Sequence, residues 1–188
     1  MNKSLKYLLI AFGVLLLLYL VNRGQQNKYV GTSETIFNIE SNDIDKILLK
    51  DASGESIILF KTDSLWSILD HDTLIVKNRQ IDQFFEKVIG GTYDMIISKN
   101  SKKWTTFGVD SSSGKILNIF KNDELVASAI FSNKGQDYAH NFYRNIGNDV
   151  VYRTSENIFY MLNTRPTYWG SKPKEISTTT NDPSLLED

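Results

Sequence analysis

The densest group of side chains suited to specific recognition runs from Gln136 to Arg144 and reads Gln-Asp-Tyr-Ala-His-Asn-Phe-Tyr-Arg. Read as a strand, its period of two puts Tyr138, His140, Phe142 and Arg144 on one face and Asp137, Ala139, Asn141 and Tyr143 on the other. An aromatic face with an arginine is what protein interfaces favour, so these four are the candidate binding residues. His140 and Arg144 are expected to be at least partly exposed, because both side chains rarely tolerate burial unpaired. A plainer reading stands beside it: an exposed sheet face whose aromatics cover neighbouring strands.

Other chemistry is thin. The two histidines, His71 and His140, lie far apart with no second ligand at metal spacing, so no metal site is expected. His71 falls in Asp70-His71-Asp72, a loop between predicted elements. Gly108-Val-Asp-Ser-Ser-Ser-Gly114-Lys115 has the flavour of a phosphate loop, but five residues separate the glycines and Ile116 stands where a magnesium-binding hydroxyl belongs. A turn leading into Ile116 fits it equally well. There is no Gly-x-Ser-x-Gly elbow, and no carboxylate pair can be assigned to glycoside chemistry from spacing alone. No catalytic residue and no cofactor are therefore assigned. With 21 basic and 22 acidic residues, a net charge of −1 and no cysteine, the chain has no electrostatic footprint for nucleic acid and no thiol chemistry.

The elements that would position these residues are those of an α+β domain. Short apolar runs at 44–49, 56–61 and 65–69, separated by turn chemistry, predict an antiparallel meander. Residues 78–91 follow, with Ile81, Phe84, Phe85, Val88 and Ile89 at helical spacing. Asn78 is placed to cap this helix and Gly90 and Gly91 to close it. A second strand-rich block is expected at 116–120, 125–131, 138–144 and 150–153, then a short helix from Ser155 through Leu162. Strands then helix, twice, indicates α+β rather than alternating βαβ units.

The ends of the chain differ from this middle. Residues 7–21 are apolar apart from Gly and Tyr; with Leu5 they give about 17 residues, the short end of a membrane span. A cleaved signal peptide is the competing reading, but no small-x-small site follows Val21. The expected organisation is a single-pass anchor at 1–21, a polar tether at 22–34, one domain at 35–170 and a disordered tail at 171–188. Lys3 and Lys6 before the helix favour a cytoplasmic N-terminus and an extracytoplasmic domain, periplasmic or extracellular.

The two strand-rich blocks also resemble each other. Residues 54–66 align on 114–126 without gaps, matching Gly54/Gly114, Phe60/Phe120, Lys61/Lys121, Asp63/Asp123 and Leu65/Leu125. A duplicated unit and two ordinary hairpins both explain this. Ile57–Leu59 leading to Leu65 and Trp66, then Trp104, Phe107, Gly108, Val109 and Asp110, then Tyr143-Arg144 with Val151-Tyr152, and finally Tyr168-Trp169 near Lys172, follow one another in an order that resembles the domain of unknown function 4340. That family is envelope-associated and often encountered near ABC-type transport and gliding-related components. Gly170-Ser171 departs from its closing motif. The resemblance implies architecture and location; it transfers no activity.

The resulting expectation is a membrane-anchored, non-enzymatic envelope domain that contacts a protein partner, such as a transporter component, through its sheet. The alternative is an extracytoplasmic ligand-binding domain with a pocket between sheet and helix.

Overall fold

A computed structural model describes residues 7, 12–19 and 33–173. The mixed α+β character holds: antiparallel strands dominate and the helices are short. The strands are β1 (Glu34–Thr35), β2 (Lys46–Lys50), β3 (Ser56–Thr62), β4 (Leu65–Ile68), β5 (Ile75–Val76), β6 (Thr92–Ser98), β7 (Lys115–Lys121), β8 (Glu124–Phe131), β9 (Phe142–Asn145), β10 (Val151–Thr154) and β11 (Gly170–Ser171). Nine of them form one sheet in the order β1-β6-β10-β9-β8-β7-β2-β3-β4, while β5 and β11 pair separately.

The helix α1 (Asn78–Phe84) runs on into a π-helical turn, Phe85–Ile89. Its apolar stripe lies on one face of the sheet, where Ile81, Phe84, Val88 and Ile89 are buried against Ile47, Leu49, Ile57, Leu59, Leu117 and Ile119. Trp169, at the end of helix α3 (Pro166–Trp169), meets Phe84 edge-on at 5.6 Å. Asn78 does not cap α1. It is the first helical residue, and Lys77 occupies the cap position without a side-chain bond. The expected helix from Ser155 to Leu162 is a 3-10 turn at Phe159–Met161, because Ser155 bonds Thr92 Oγ1 at 2.9 Å instead of capping.

The opposite face is covered over one half only. Helix α2 (Trp104–Phe107) and the loop after it lie over β9 and β10, burying Val109, Phe142 and Val151 as a second small core. Gly108 ends α2 at φ +67°, left-handed backbone that favours glycine, and a Cβ there would stand 2.6 Å from Ser132 Oγ.

The repeat can be tested against topology. β3 and β7 both flank β2 antiparallel and at an offset of 60: Ile47 faces Leu59 and Ile119, and Leu49 faces Ile57 and Leu117. Yet β4 lies beyond β3 on one side and β8 beyond β7 on the other. The two hairpins start in the same direction with the same face buried, but turn opposite ways. The aligned residues occupy equivalent registers on the two sides of β2.

Among the described residues no helix is long and apolar enough to cross a membrane. Residues 12–19 are helical, but most of the rest of the expected 7–21 span lies outside the described residues, as do tether residues 22–32 and tail residues 174–188. At the domain's boundaries, Glu34 already pairs with Tyr93 in the sheet, and Ser171 pairs with Ile75.

Candidate functional site

The strand expected from Tyr138 begins only at Phe142, so the four candidate residues do not share one face. Tyr138 and His140 lie in the loop joining β8 to β9; Phe142 and Arg144 lie within β9. The alternation seen in sequence is broken by Asp137. Its carboxylate accepts from Ala139 N at 2.9 Å and from His140 Nδ1 at 2.6 Å, closing a turn that a strand could not contain.

Arg144 is buried, at 6% exposure, which corrects the expectation that it faces solvent. Its guanidinium lies over the Trp104 ring, 3.7 Å from the centroid, and donates to the carbonyls of Val109 (3.3 Å), Asn145 (3.5 Å) and Asn148 (3.4 Å). Arg144 therefore clamps α2 and its following loop to the sheet. Phe142 is buried beside it, edge-on to Phe107 at 5.3 Å. Trp104 is held in turn by its Nε1–H, which donates to Asp149 O at 3.1 Å. Two segments quoted for the family resemblance, 104–110 and 143–144, thus meet as a structural clasp.

What remains of the candidate site is the loop itself. Tyr138 at its tip is 100% exposed. The loop beneath is tightly built. Phe142 N donates to Lys134 O and Ser132 N to Phe142 O, each at 2.9 Å, closing its base. Asn157 Nδ2 donates to Tyr138 O at 2.8 Å, fixing the backbone at the tip. Arg153 joins Gln136 Oε1 at 2.7 Å while holding Asp94 with two further bonds, at 2.9 and 2.6 Å. Asn141 is buried; its Oδ1 accepts from Ile158 N at 2.8 Å and Phe159 N at 3.0 Å. At Gly135 a Cβ would stand 2.0 Å from His140 O, so only glycine fits. The His140 bond also holds the Asp137 carboxyl below its ordinary proton affinity. His140 is half-buried and serves this turn.

The other residues with a chemical reading have structural partners. Lys115 points away from the Gly108–Gly114 loop: its Nζ donates to Leu162 O at 2.6 Å and lies 4.5 Å from the Phe159 ring centroid, and burial lowers its proton affinity. Asp110 accepts from Ser112 N and Oγ within its own turn. His71 is exposed in its loop. Among the described residues no cluster of three His, Asp or Glu side chains could hold a metal ion.

Sequence reasoning missed an aromatic cluster on the helix-bearing face. Tyr143 stacks with Phe131 (5.5 Å) and Tyr152 (5.3 Å), and Tyr93 tilts against Tyr152 at 4.6 Å. Tyr143 Oη is buried without a hydrogen-bond partner, and burial raises its proton affinity. Tyr93 donates to Glu34, which pushes the phenol up to about 12.

No family model, curated protein or solved structure matches the chain.

Proposed function

We propose that this chain is a membrane-tethered, non-enzymatic envelope domain that binds another protein through the 133–141 loop, with Tyr138 as the anchor. The carrying observation is the contrast at the loop's tip: a fully exposed aromatic on a backbone fixed from below by hydrogen bonds to Asn157, Arg153, Thr154 and Asp137. A large aromatic presented on rigid backbone loses little conformational freedom on binding, which is how anchor residues gain their energy. A purely structural tyrosine would use its ring or its hydroxyl; Tyr138 uses neither within the domain. The family resemblance supplies the class of partner, an ABC-type transport or other envelope assembly.

Tethering is supported by residues 12–19, which are helical and apolar all round, with Phe12 and residues 14–19 exposed. The competing ligand-binding reading asked for a pocket uniting His140 with Arg144. It is disfavoured because His140 lies in the loop and Arg144 is buried within β9 against Trp104, and because the middle of the space between sheet and α1 is filled by Phe84, Val88, Leu59 and Trp169, the open groove at the β4 end being lined by neither His140 nor Arg144.

The test is Tyr138→Ala in the full chain, purified from solubilised membranes. Hot-spot truncation costs about 2 kcal/mol or more, roughly 30-fold in affinity, so a co-purifying partner should be lost while the melting temperature stays unchanged. Retention of every partner by a folded Tyr138→Ala protein would place the binding face elsewhere.

A further inference from the structure

β2, β3 and β7 read as near-continuous apolar runs: Ile47-Leu48-Leu49, Ile57-Ile58-Leu59-Phe60, and Ile116-Leu117 with Ile119-Phe120. An antiparallel sheet with one face in water alternates apolar with polar residues, whereas strands covered on both faces read in this way. One set of these residues is accounted for. Ile47, Leu49, Ile57, Leu59, Leu117 and Ile119 form the core under α1. The other set, Leu48, Ile58, Phe60, Ile116 and Phe120, alternates onto the opposite face, beyond the half that α2 covers, and belongs to neither core. All five are partly exposed, and Leu65 and Leu69 carry the surface across β4, Leu65 being 74% exposed.

The middle of this face is prepared for burial. Asn118 Oδ1 accepts from Ser128 Oγ at 2.5 Å, and Lys46 is joined to Asp123 while its Nζ lies 4.8 Å from the Phe120 ring centroid. Polar groups there already have partners, as buried ones must. An anionic lipid surface is a poor match, because Glu55, Asp63 and Asp70 are exposed around the rim.

Size and symmetry both favour a second copy as the cover. Five strands about 4.8 Å apart and four rows of side chains about 7 Å apart make a face of roughly 600 Å², so a pair of copies would bury about 1,200 Å², the lower limit for a specific interface. β2 is the middle strand of β8-β7-β2-β3-β4. Phe60 and Phe120 flank Lys46 on its two sides, as Ile58 and Asn118 flank Leu48. A twofold axis lying between two copies along β2 therefore sets Leu48 opposite the partner's Leu48 and Phe60 opposite the partner's Phe120. Lys46 leans toward Asp123 on the β7–β8 side, so the two ammonium groups turn away from each other across that axis.

We infer that two copies of this chain pair through the bare face of β8-β7-β2-β3-β4 as a two-sheet sandwich with Leu48 on its axis. This surface is separate from the Tyr138 loop and does not rest on it.

The chain has no cysteine, so single introduced cysteines report one position each. In the solubilised full-length protein, Leu48→Cys should give a two-chain product with a short bismaleimide crosslinker. Phe60→Cys and Phe120→Cys, co-expressed, should link to each other faster than either links to itself, and Tyr138→Cys should give no such product. By light scattering the unaltered protein should have the mass of two chains. Leu48→Asp should weaken the pair about a hundredfold or more, because unpaired carboxylates would be buried at the axis, while Tyr138→Ala leaves the mass unchanged. A single-chain mass for the unaltered protein would overturn the proposal. So would a Leu48→Cys variant that links only to a different protein, or Phe60→Cys linking to itself faster than to Phe120→Cys.

Discussion

Replacing Arg144 separates a clasp from a binding residue. The guanidinium is desolvated over Trp104, an arrangement that contributes about 2 kcal/mol. Its Nε–H serves the carbonyl of fully buried Val109, and loss of a charged donor to a buried acceptor costs about 1.5 kcal/mol. The two Nη1 contacts, at 3.5 and 3.4 Å, are too long to add much. Arg144→Ala should therefore destabilise the domain by about 2–4 kcal/mol, whereas an exposed binding residue would change stability by no more than about 0.5 kcal/mol. Arg144→Lys keeps the charge but loses the planar stack, and should fall between the two. Urea unfolding followed by tryptophan fluorescence measures both. Paired with Trp104→Ala in a double-mutant cycle, the coupling should be about 1–2 kcal/mol. A stable Arg144→Ala protein, or no coupling, would refute the clasp.

Phe84 is fully buried between the sheet and Trp169, so Phe84→Ala should cost about 3–5 kcal/mol in the same unfolding assay. Gly135→Ala forces a Cβ into His140 O and should disorder the 133–141 loop, read as faster exchange of the Ala139 and His140 amides, with the β2–β3 amides unaffected. The carboxyls of Asp51, Asp110 and Asp137 are all held below their ordinary range by hydrogen bonds, chiefly from Ser53, Ser112 and His140. Their contribution is present above the unfolded value of 3.8 and is lost as pH falls through the lower folded values, so stability should decline on acidification below about pH 4. Asp110→Asn should flatten that decline. Tyr93 has the opposite sign: its bond to Glu34 contributes below the unfolded value of 10.0 and is lost as pH rises toward about 12, so Tyr93→Phe should flatten the alkaline limb between those values.

The elements that sequence revealed are those whose packing follows one period. Ile81, Phe84, Val88 and Ile89 are buried at helical spacing, and Ile57, Leu59, Leu117 and Ile119 alternate on one face of the sheet. β6 went unseen because it skips a residue against β10 at two places, around Asp94 and Ile97, which erases its period of two, and because Asp94 is neutralised by Arg153 from another strand. The Tyr138–Arg144 face failed for the converse reason. Arg144 and Phe142 alternate as strand residues, while Tyr138 and His140 continue the spacing by coincidence through a turn. Asn133-Lys-Gly135 marks a turn in the sequence, but the Asp137-x-Ala139 turn was the signal that could have extended the loop past Gly135. Burial of Arg144 needed Trp104, forty residues away in sequence, and that proximity exists only after folding.

The most direct measurement is site-specific photo-crosslinking in intact membranes, with a photoreactive phenylalanine at position 138 and matched controls at exposed Leu125 and Ile146. A discrete protein adduct is expected from position 138 that neither control yields and that Gly135→Ala abolishes. No adduct at 138, or the same adducts from all three positions, would contradict it.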